Sequence, residues 1–393
     1  LKGKTVVLGV TGSIAAYKIA NLARMLVKQH CEVHVLMTQN ATNFINPITF
    51  ETLTKHKCLI DTFDRNFEFS VEHVALAKAA DVVMIAPASA NVIGKIANGI
   101  ADDMLTTTVM ACPCKKIVSP AMNHNMFHNP IVQDNIEKLK HYGYEIVEPA
   151  HGMLANGDMG DGRMPDEELL FEYIVKEIAF EKDMTGKKVL VTAGATVEAI
   201  DPVRFITNHS SGKMGFALAK NAMLRGADVT LVMGKCDSEP PVFVNTVKVQ
   251  SAKDMYDAVI ERADSMDIIV KAAAVADYRP KNVSSEKVKK QDGNMSIELE
   301  RTDDILKTLG ERKNSQFICG FSMETENMLE NSRKKLEKKN CDMIVANNLK
   351  QDGAGFGGNT NIVTLITKDD EVQLEKMTKD EVAEKIFDFI LSR

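Results

Sequence analysis

The sequence lacks the features of a membrane or secreted protein. No uninterrupted apolar run approaches the ~20 residues that a membrane-spanning helix needs. The seven cysteines are an odd number and are scattered, which argues against a disulfide framework and fits a reducing compartment. Cys112 and Cys114 have no matching second pair, so a metal site there is disfavoured. The opening segment, LKGKTVVLGVTG, reads as a strand and a turn without a signal peptide's basic region. We therefore expect a cytoplasmic protein.

A strong excess of either charge is also absent. The 54 acidic and 48 basic side chains give a formal net charge of -6. This balance provides no electrostatic reason to expect nucleic acid or a membrane surface as a partner, and small soluble substrates fit it better. The length of 393 residues suits two domains of roughly 150 to 200 residues, each with its own core.

Two halves of the chain begin with the same pattern. The strand-like run KTVVLGV (4–10) precedes a helical segment and a second strand, EVHVLMT (32–38), which together form one βαβ unit. The same order recurs from KKVLVTAGAT (187–196) to ADVTLVMG (227–234). We predict an α/β protein of two Rossmann-like or flavodoxin-like three-layer domains with mainly parallel sheets.

Residues 165–188 read as an amphipathic helix followed by a charged, glycine-bearing connector. We place the domain boundary there, with one domain over 1–184 and the other over 185–393.

Polar tips end the predicted strands. Because ligands of open parallel sheets bind outside the carboxyl ends of the strands, we expect the chemistry at these tips. They are TGS (11–13), PASAN (87–91), TAGAT (192–196) and AVAD (274–277).

The first half has a glycine-rich turn after its first strand, with Gly9 and Gly12, which suits an anion site. The spacing is not G-x-G-x-x-G, and the second strand ends without an acidic residue to hold a ribose. A mononucleotide such as FMN is favoured over a dinucleotide, although such turns also occur without a ligand. Ser89 and Asn91, at another strand tip, offer hydrogen bonds to a flavin edge or a phosphate.

Two further residues of the first half have alternative interpretations. Asn123, in SPAMNHNMF (119–127), could bind a carboxylate or cap a helix. His73 precedes a helical stretch, where a lone histidine is more often structural than catalytic.

The second half carries NHSSGKMG (208–215), which is not a Walker loop but has an anion-binding composition in Asn208, Ser210, Ser211, Gly212 and Lys213. A plain helix N-terminus is the alternative.

Further along, Asp277 at a strand tip precedes a basic segment with Lys287, Lys289 and Lys290. A lysine run is usually a solvated face, but this one is placed to neutralise a triphosphate.

Several motifs occur in the same order as in the flavin-dependent cysteine decarboxylases: GSIAAYK, VEHVALA, PASAN, PAMNHNM and GDMGDGRM. Essentially all 393 residues resemble the bacterial bifunctional phosphopantothenoylcysteine decarboxylase and phosphopantothenate–cysteine ligase family of coenzyme A biosynthesis.

For the first half, the resemblance implies an FMN enzyme whose sites form between the subunits of a trimer. FMN oxidises the substrate thiol to a thioaldehyde, CO2 leaves, and the resulting enethiol is reduced. His73 matches the family's base, and Asn123 matches its carboxylate-binding residue. The predicted FMN-binding residues are Gly12, Ser13, Ile14, Thr38, Ser89 and Asn91.

The sequence departs from the family at two positions. Phe127 replaces a tryptophan, which preserves an aromatic wall. Asn156 replaces the cysteine that donates the final proton, and an amide has no proton to give near neutral pH. The decarboxylase should therefore stall or be impaired at enethiol reduction. The glycine-rich stretch 151–166 around Asn156 predicts a mobile flap, pinned by Arg163 with Asp158.

For the second half, the resemblance implies a ligase that uses CTP and Mg2+ to join 4'-phosphopantothenate to cysteine through an acyl-cytidylate. Mg2+ would be carried mainly by the triphosphate. Asn208 and Lys287 match catalytic positions. The predicted CTP-binding residues are Asp277, Lys287, Thr302, Asp303, Asp304, Ile305, Phe321, Lys335 and Lys339. The choice of CTP over ATP rests on the resemblance alone.

The resemblance also implies a homo-oligomer, in which trimeric first halves and dimeric second halves make a dodecamer. Two other readings remain. The first half could be a flavin-binding scaffold or regulator with a vestigial decarboxylase site, although the retained His73 and Asn123 argue against it. An NAD-type oxidoreductase is disfavoured by the missing dinucleotide fingerprint.

Overall fold

The computed structural model describes residues 1–62, 72–154, 157–289, 295–324, 327–348 and 358–393. The chain forms two compact units, Leu1–Phe180 and Glu181–Arg393, whereas the sequence predicts a boundary after residue 184. Among the described residues, every helix is too short or too polar to cross a lipid bilayer.

The first unit alternates strands and helices. Two 3-10 turns, Ile14–Tyr17 and Gln39–Asn43, follow its first two strands. Its strands are β1 Thr5–Val10, β2 Glu32–Met37, β3 Val82–Ala88, β4 Lys115–Pro120, β5 Glu145–Ile146, β6 Ala150–Met153 and β7 Met159–Arg163. Its helices are α1 Lys18–Lys28, α2 Pro47–Thr54, α3 Glu72–Ala79, α4 Ala90–Ala97, α5 Met104–Ala111, α6 His124–Phe127, α7 Pro130–His141 and α8 Glu167–Ile178.

The first five strands form one parallel sheet in the order β2-β1-β3-β4-β5, which is the flavodoxin-like order. The β1 side chains alternate between two cores. Val6 and Leu8 pack with α1 and α8 on one face, and Val7 packs with α4 and α5 on the other. Helices therefore cover both faces of the sheet, which confirms the predicted three-layer α/β architecture.

The second unit has more strands. They are β8 Lys188–Ala193, β9 Val197–Ala199, β10 Phe205–Thr207, β11 Asp228–Met233, β12 Asn245–Lys248, β13 Ile268–Lys271, β14 Tyr278–Pro280, β15 Leu299–Arg301, β16 Phe317–Glu324, β17 Met343–Asn348, β18 Thr360–Asn361, β19 Val363–Ile366, β20 Glu371–Gln373 and β21 Met377–Thr378. The helices are α9 Lys213–Leu224, α10 Ala252–Ala263, α11 Ile305–Glu311, α12 Met328–Lys338 and α13 Lys379–Leu391.

Eight of these strands form a mixed sheet in the order β12-β11-β8-β13-β16-β17-β19-β20. Pairing is parallel from β12 to β17, and the last two strands are antiparallel. The prediction of mainly parallel sheets is confirmed for this unit as well.

Two local features were not specified by the sequence predictions or differ from them. In the stretch predicted to be a flap, β6 and β7 pair as an antiparallel hairpin. Asp277 does not end a strand: β13 stops at Lys271, and Asp277 lies six residues later, just before β14. Apolar periodicity misses the hairpin because its strands are rich in glycine and polar residues.

Each unit joins the carboxyl ends of its two central strands through buried threonines. In the first unit, the Thr11 hydroxyl donates to the Pro87 carbonyl at 2.6 Å and accepts from the Ser89 N–H at 2.9 Å. In the second unit, the Thr192 hydroxyl accepts from the Ala273 N–H at 3.0 Å. These bonds hold the polar tips of neighbouring strands together at the point where the strand order reverses.

Arg225 connects three segments of the second unit. It is 6% exposed, its Nε lies 2.9 Å from Asp183 Oδ1, and its Nη1 lies 2.8 Å from Asp388 Oδ1 on α13. The hydrogen bonds from Arg225 hold the pKa of Asp183 below its usual value. The pairing thereby fastens the start of this unit to α9 and α13.

We predict that Arg225→Met lowers the free energy of unfolding of the second unit by roughly 2 kcal/mol, because several charge-assisted hydrogen bonds are lost. Urea unfolding of the full chain measures this. The part of the effect that depends on ionised Asp183 should persist down to pH 3.8, the usual aspartate pKa, and fade below it. The control is Arg312→Met, which breaks an exposed pair with Asp264 and should cost less than about 1 kcal/mol. Equal losses would contradict the prediction.

Candidate active sites

The first unit contains a cavity of about 400 Å³ at the carboxyl end of its sheet. Three segments line it: the 3-10 turn after β1, the segment between β4 and α6, and the β6–β7 hairpin. Its lining residues are Ser13, Ile14, Ala15, Tyr17, Lys18, Ala121, Met122, Asn123, Met153, Leu154, Gly162, Arg163 and Met164. Of the predicted site residues, the structure therefore brings Ser13, Ile14 and Asn123 together.

Asn123 combines the two roles that the sequence leaves open. Its Oδ1 accepts a hydrogen bond from the Asn125 N–H at 2.9 Å, so the side chain caps the short helix α6. Its amide nitrogen makes no hydrogen bond to the described residues. The cap orients the side chain, and the free N–H groups can donate to a carboxylate in the cavity.

Four predicted FMN-binding residues lie on the same sheet edge but outside this cavity lining. Gly12 packs against Asn40, whose Cβ would lie 2.9 Å from a Cβ at position 12. Thr38 caps the 3-10 turn after β2, and Ser89 caps α4, with Asn91 exposed in the first turn of that helix. These positions follow β1, β2 and β3, so they border one continuous stretch of the edge.

Two other predicted residues do not line this cavity. His73 is the second residue of α3 and is partly buried. Phe127 is buried in the core on the α4–α5 face and is not a wall of the cavity, contrary to the expectation from the sequence. Asn156 falls outside the described residues.

The hairpin is anchored to the segment before α6 by close backbone packing. The Met122 N–H donates to the Gly162 carbonyl at 3.0 Å. Gly162 has a φ of +114°, and a Cβ there would lie 2.3 Å from the Met122 carbonyl oxygen. A Cβ on Gly160 would lie 2.8 Å from the His124 ring. These two glycines therefore serve close contact and not the mobility that the sequence suggests.

A cluster of histidines around Asp161 ties the hairpin further and is absent from the sequence predictions. The Asp161 carboxylate lies 2.9 Å from His151 Nδ1 and 2.9 Å from His128 Nε2. The hydrogen bond to His151 lowers the pKa of Asp161 most, and the hydrogen bond to His128 lowers it as well. The Asp161 N–H donates to His124 Nδ1 at 3.1 Å. Arg163, predicted to pair with Asp158, instead lies 3.4 Å from Asp166.

The residues present fit a flavin mononucleotide. Apolar side chains of Ile14, Tyr17, Met122 and Met153 offer faces for a flat ring. Ser13 caps the 3-10 turn after β1, and Ser89 caps helix α4 after β3. The hydroxyls of these two serines and the backbone N–H groups that follow them suit a phosphate. Apolar side chains for the ring, next to polar groups for the phosphate, are the combination that a flavin mononucleotide requires.

The second unit has a cavity of about 510 Å³ at the carboxyl ends of β13, β16 and β17. It gathers eight of the residues that the sequence predicts for the second half: Asn208, Ser210, Ser211, Gly212, Lys213, Asp277, Phe321 and Lys335. The full lining is Thr207, Asn208, His209, Ser210, Ser211, Gly212, Lys213, Met214, Lys271, Ala272, Ala273, Ala274, Val275, Asp277, Phe321, Met323, Lys335, Asn347, Asn361 and Lys379.

Asn208 and Lys335 are both oriented by backbone carbonyls. Asn208 Nδ2 donates to the Ala274 carbonyl at 3.1 Å, which turns the amide toward the loop after β13. Lys335 Nζ donates to the Phe321 carbonyl at 2.8 Å. The cavity lining therefore includes an amide and a cation that are each held by a backbone carbonyl.

Other predicted nucleotide-binding residues adjoin the cavity without lining it. The Thr302 hydroxyl donates to the Ala276 carbonyl at 2.6 Å, and its N–H donates to the Asp277 carbonyl at 3.1 Å. Asp304 caps α11 and forms an ion pair with Lys339. Asp303 is exposed beside Asp304, and Ile305 is buried at the start of α11.

Lys287 is exposed, but the chain beside it is held in place. The Val288 N–H donates to Asp201 Oδ2 at 3.1 Å, and Arg204 Nη2 donates to the Val288 carbonyl at 2.9 Å. Arg204 also pairs with Asp201 and holds the pKa of that carboxyl well below its usual range. Lys289 is exposed, and Lys290 lies outside the described residues.

Lys271 lines the second cavity and was not predicted as a site residue. In sequence it reads as the last residue of a buried strand, and only its position at the carboxyl end of β13 exposes its side chain to the cavity.

We predict that Gly162→Ala releases the hairpin from the Met122 segment. Hydrogen exchange of the Met122 amide measures this, and protection should fall at least tenfold, because more than about 1.4 kcal/mol of strain is introduced. The matched control is Gly157→Ala, at a φ of +87° but with no atom within 4 Å of the added Cβ. The same loss of protection in both variants would show that close packing is not the cause.

Comparisons with known proteins agree with this arrangement. Residues 184–393 match the family described as DNA/pantothenate metabolism flavoprotein C-terminal domain, and residues 1–179 match the family described as Flavoprotein. The Coenzyme A biosynthesis bifunctional protein CoaBC of Bacillus subtilis (strain 168) is 48% identical over 372 residues, which cover 94% of this chain and 92% of that protein.

The protein of the same name from Vibrio cholerae serotype O1 is 43% identical over 393 residues, which cover 99% of this chain and 98% of that protein. A Cysteine/Cysteine sulfinic acid decarboxylase of an unknown prokaryotic organism is 43% identical over 355 residues, covering 88% of this chain and 99% of that protein. The chain therefore belongs to the bifunctional CoaBC family of coenzyme A biosynthesis enzymes, in which a decarboxylase and a ligase are joined.

Proposed function

We propose that the chain converts 4'-phosphopantothenate and cysteine toward 4'-phosphopantetheine in two steps. The second unit joins the two substrates at the expense of CTP, and the first unit decarboxylates the product with FMN. The observation that carries the proposal is the presence of one cavity in each unit, at the carboxyl edge of its sheet, lined by residues of the two motif sets.

In the ligase step, a carboxylate oxygen of phosphopantothenate attacks the α-phosphorus of CTP. The bond to the β-phosphate breaks, pyrophosphate leaves, and an acyl-cytidylate forms. The cysteine amine then attacks the acyl carbon, CMP leaves, and the amine loses a proton. Both displacements gather negative charge on oxygen, so fixed cations and hydrogen-bond donors lower their barriers.

The lining of the second cavity supports this chemistry. Four lysines, Lys213, Lys271, Lys335 and Lys379, face one carboxylate, Asp277, so the cavity favours a polyanion. The oriented amide of Asn208 can hold the acyl-cytidylate, and Lys287 can close on the phosphates from its anchored segment. Mg2+ would bind chiefly to the triphosphate oxygens.

In the decarboxylase step, FMN, when bound, supplies an acceptor and later a donor of the electron pair taken from the substrate thiol. Asn123 would hold the substrate carboxylate through its amide N–H groups until CO2 leaves. The hairpin would cover the cavity and exclude water. At residue 156 an amide replaces an acid, so the last proton has no donor at that position and the reaction should stop at the enethiol.

Exposed apolar side chains around the first cavity support a site that is completed by a neighbouring subunit. Ile14 is 57% exposed, Tyr17 59% and Met153 69%, and all three line this cavity. His73, the proposed base, lies outside the cavity of its own chain and would serve a neighbour's. The family resemblance is the basis for the assembly that we propose, in which trimers of first units are joined through dimers of second units into a dodecamer.

A scaffold or regulatory role for the first unit is the second candidate, and the change at residue 156 is what favours it. Decarboxylation of free cysteine is a third possibility, which the resemblance to a cysteine decarboxylase raises. The retained His73 and Asn123 weigh against the scaffold, and the lysine-rich second cavity favours the coupled reaction over decarboxylation of free cysteine.

We predict that the purified chain is yellow and releases pyrophosphate only when phosphopantothenate and CTP with Mg2+ are both present. Formation of the cysteine adduct requires cysteine as well. Asn208→Ala should lower adduct formation at least tenfold, because an oriented hydrogen bond to the intermediate is lost. Ser265→Ala, at an exposed position two residues after the end of α10, is the control. ATP serving as well as CTP would refute the nucleotide assignment, and the absence of pyrophosphate would refute the ligase.

We predict that Asn156→Cys restores the complete decarboxylase. With phosphopantothenoylcysteine, the present chain should release CO2 and accumulate the enethiol, whereas the variant should yield phosphopantetheine by mass spectrometry. The reason is that a thiol can donate the proton that an amide cannot. Asn156→Ser is the control and should remain stalled. Release of phosphopantetheine by the unaltered chain at the variant's rate would overturn the proposal, and CO2 release from free cysteine alone would favour the third possibility.

A further inference from the structure

Lys271 is distinct among the lysines that line the second cavity. Three of the four have their Nζ on a protein oxygen: Lys213 on Asn359 Oδ1 at 2.9 Å, Lys335 on the Phe321 carbonyl at 2.8 Å, and Lys379 on the Gly358 carbonyl at 2.6 Å. Lys271 makes no side-chain hydrogen bond or ion pair with any residue in the described parts of the chain. Its amine is therefore left for whatever enters the cavity.

The backbone of Lys271 is held by a neighbouring strand on each side. It ends β13, pairs with Thr192 on β8 and with Gly320 on β16, and is flanked by the buried Val270. Parallel strands on both sides fix its backbone at the point where the strand order reverses. A lysine held there can direct its amine into the cavity with little loss of backbone entropy on binding.

We propose that Lys271 is a proton-linked anion ligand of the second cavity: it takes up a proton as a polyphosphate enters and then binds that polyphosphate as an ammonium. The proposal rests on the proposed function for the identity of the polyphosphate, which is the triphosphate of CTP. The geometry requires only a compact polyanion in contact with an amine that lines the cavity and has no partner among the described residues.

The surroundings of Lys271 make the neutral amine easier to form than in water when the cavity holds no anion. Enclosure by the cavity walls, together with the positive charge of Lys335 from α12, lowers the pKa of Lys271 to about 8, so a large fraction of the amine is neutral at pH 8. Asp304 at the start of α11 and Asp277 before β14 raise it, while Lys339 lowers it. The other cationic side chains of the lining, Lys213 and Lys379, also repel a further positive charge.

Entry of a triphosphate reverses this balance. Several negative charges next to the amine favour the ammonium form, so the pKa rises and a proton is taken from solvent. The enzyme then binds its polyanion more tightly as the pH falls through 8, because protonation and anion binding are linked. A merely structural lysine would not exchange a proton on binding.

The test is calorimetric titration of the full chain with CTP and Mg2+ at pH 8, in two buffers of different ionisation enthalpy. The dependence of the observed heat on the buffer gives the number of protons taken up. For a pKa of about 8, Lys271 contributes about half a proton per site. Lys271→Met should remove this half proton and weaken binding at least tenfold, since a charge-assisted hydrogen bond is lost.

Two further variants make the result specific. Lys271→Arg retains a permanent cation, so it should keep most of the affinity but lose the proton uptake. Lys248→Met, an exposed lysine at the end of β12 and outside the cavity lining, should change neither quantity. Circular dichroism of each variant checks that the fold is retained, and binding by Lys271→Arg guards against a defect that is only structural.

Inorganic triphosphate with Mg2+ is titrated in parallel, to separate this inference from the proposed function. If CTP binds and Lys271→Met takes up as many protons as the unaltered chain, the inference is wrong and the function stands. If CTP does not bind but inorganic triphosphate does, with proton uptake that depends on Lys271, the inference stands and the CTP assignment fails. If neither polyanion binds, the inference is overturned.

Discussion

The constraint on which both sites depend is that parallel strands end together, with their backbone groups pointing out of the sheet. Those N–H and carbonyl groups lose their partners where the ladder stops, and burying them unpaired would be costly. Thr11 satisfies two of them in the first unit, and Thr192 and Thr196 each satisfy one in the second. Small buried hydroxyls thus close the ends of the central strands and leave the loops beyond them free to bind ligands.

The two units use the carboxyl edges of their sheets for different chemistry because different segments cover those edges. In the first unit, a glycine-bearing hairpin packs on the segment before α6 and brings apolar side chains over the edge. In the second, the turn before α9 and the helix α12 bring lysines and an oriented amide. An apolar cover suits a flat ring and a leaving CO2, whereas a cationic lining suits a triphosphate. Both units can therefore start from one architecture and catalyse unrelated steps of one pathway.

The sequence predicts the architecture well because β-branched runs and helical periodicity are local signals. For most strands it also predicts which polar residues come next in the chain, because these are fixed by the position where each strand ends. Asp277, six residues beyond β13, is an exception. The sequence does not predict the Asp161 cluster, whose histidines at 124, 128 and 151 approach one carboxylate only after the hairpin folds back on α6. It misses Lys271 for a similar reason. In the sequence, a lysine after IIV indicates only the end of a strand, and the enclosure of its side chain is a tertiary effect. The position of the Phe127 side chain in the core likewise depends on packing that no motif specifies.

The described ends of the β6–β7 hairpin are held by backbone hydrogen bonds. The Leu154 N–H donates to the Asp158 carbonyl at 2.8 Å, and the Gly157 N–H donates to the Leu154 carbonyl at 2.9 Å. Leu154 also lines the first cavity, so this backbone pairing ties the hairpin to the site. Backbone hydrogen bonds do not depend on which side chain the chain carries. Under the proposed function, the exchange of cysteine for asparagine at position 156 therefore removes one chemical step, while the described pairing that holds the hairpin at the site needs no change.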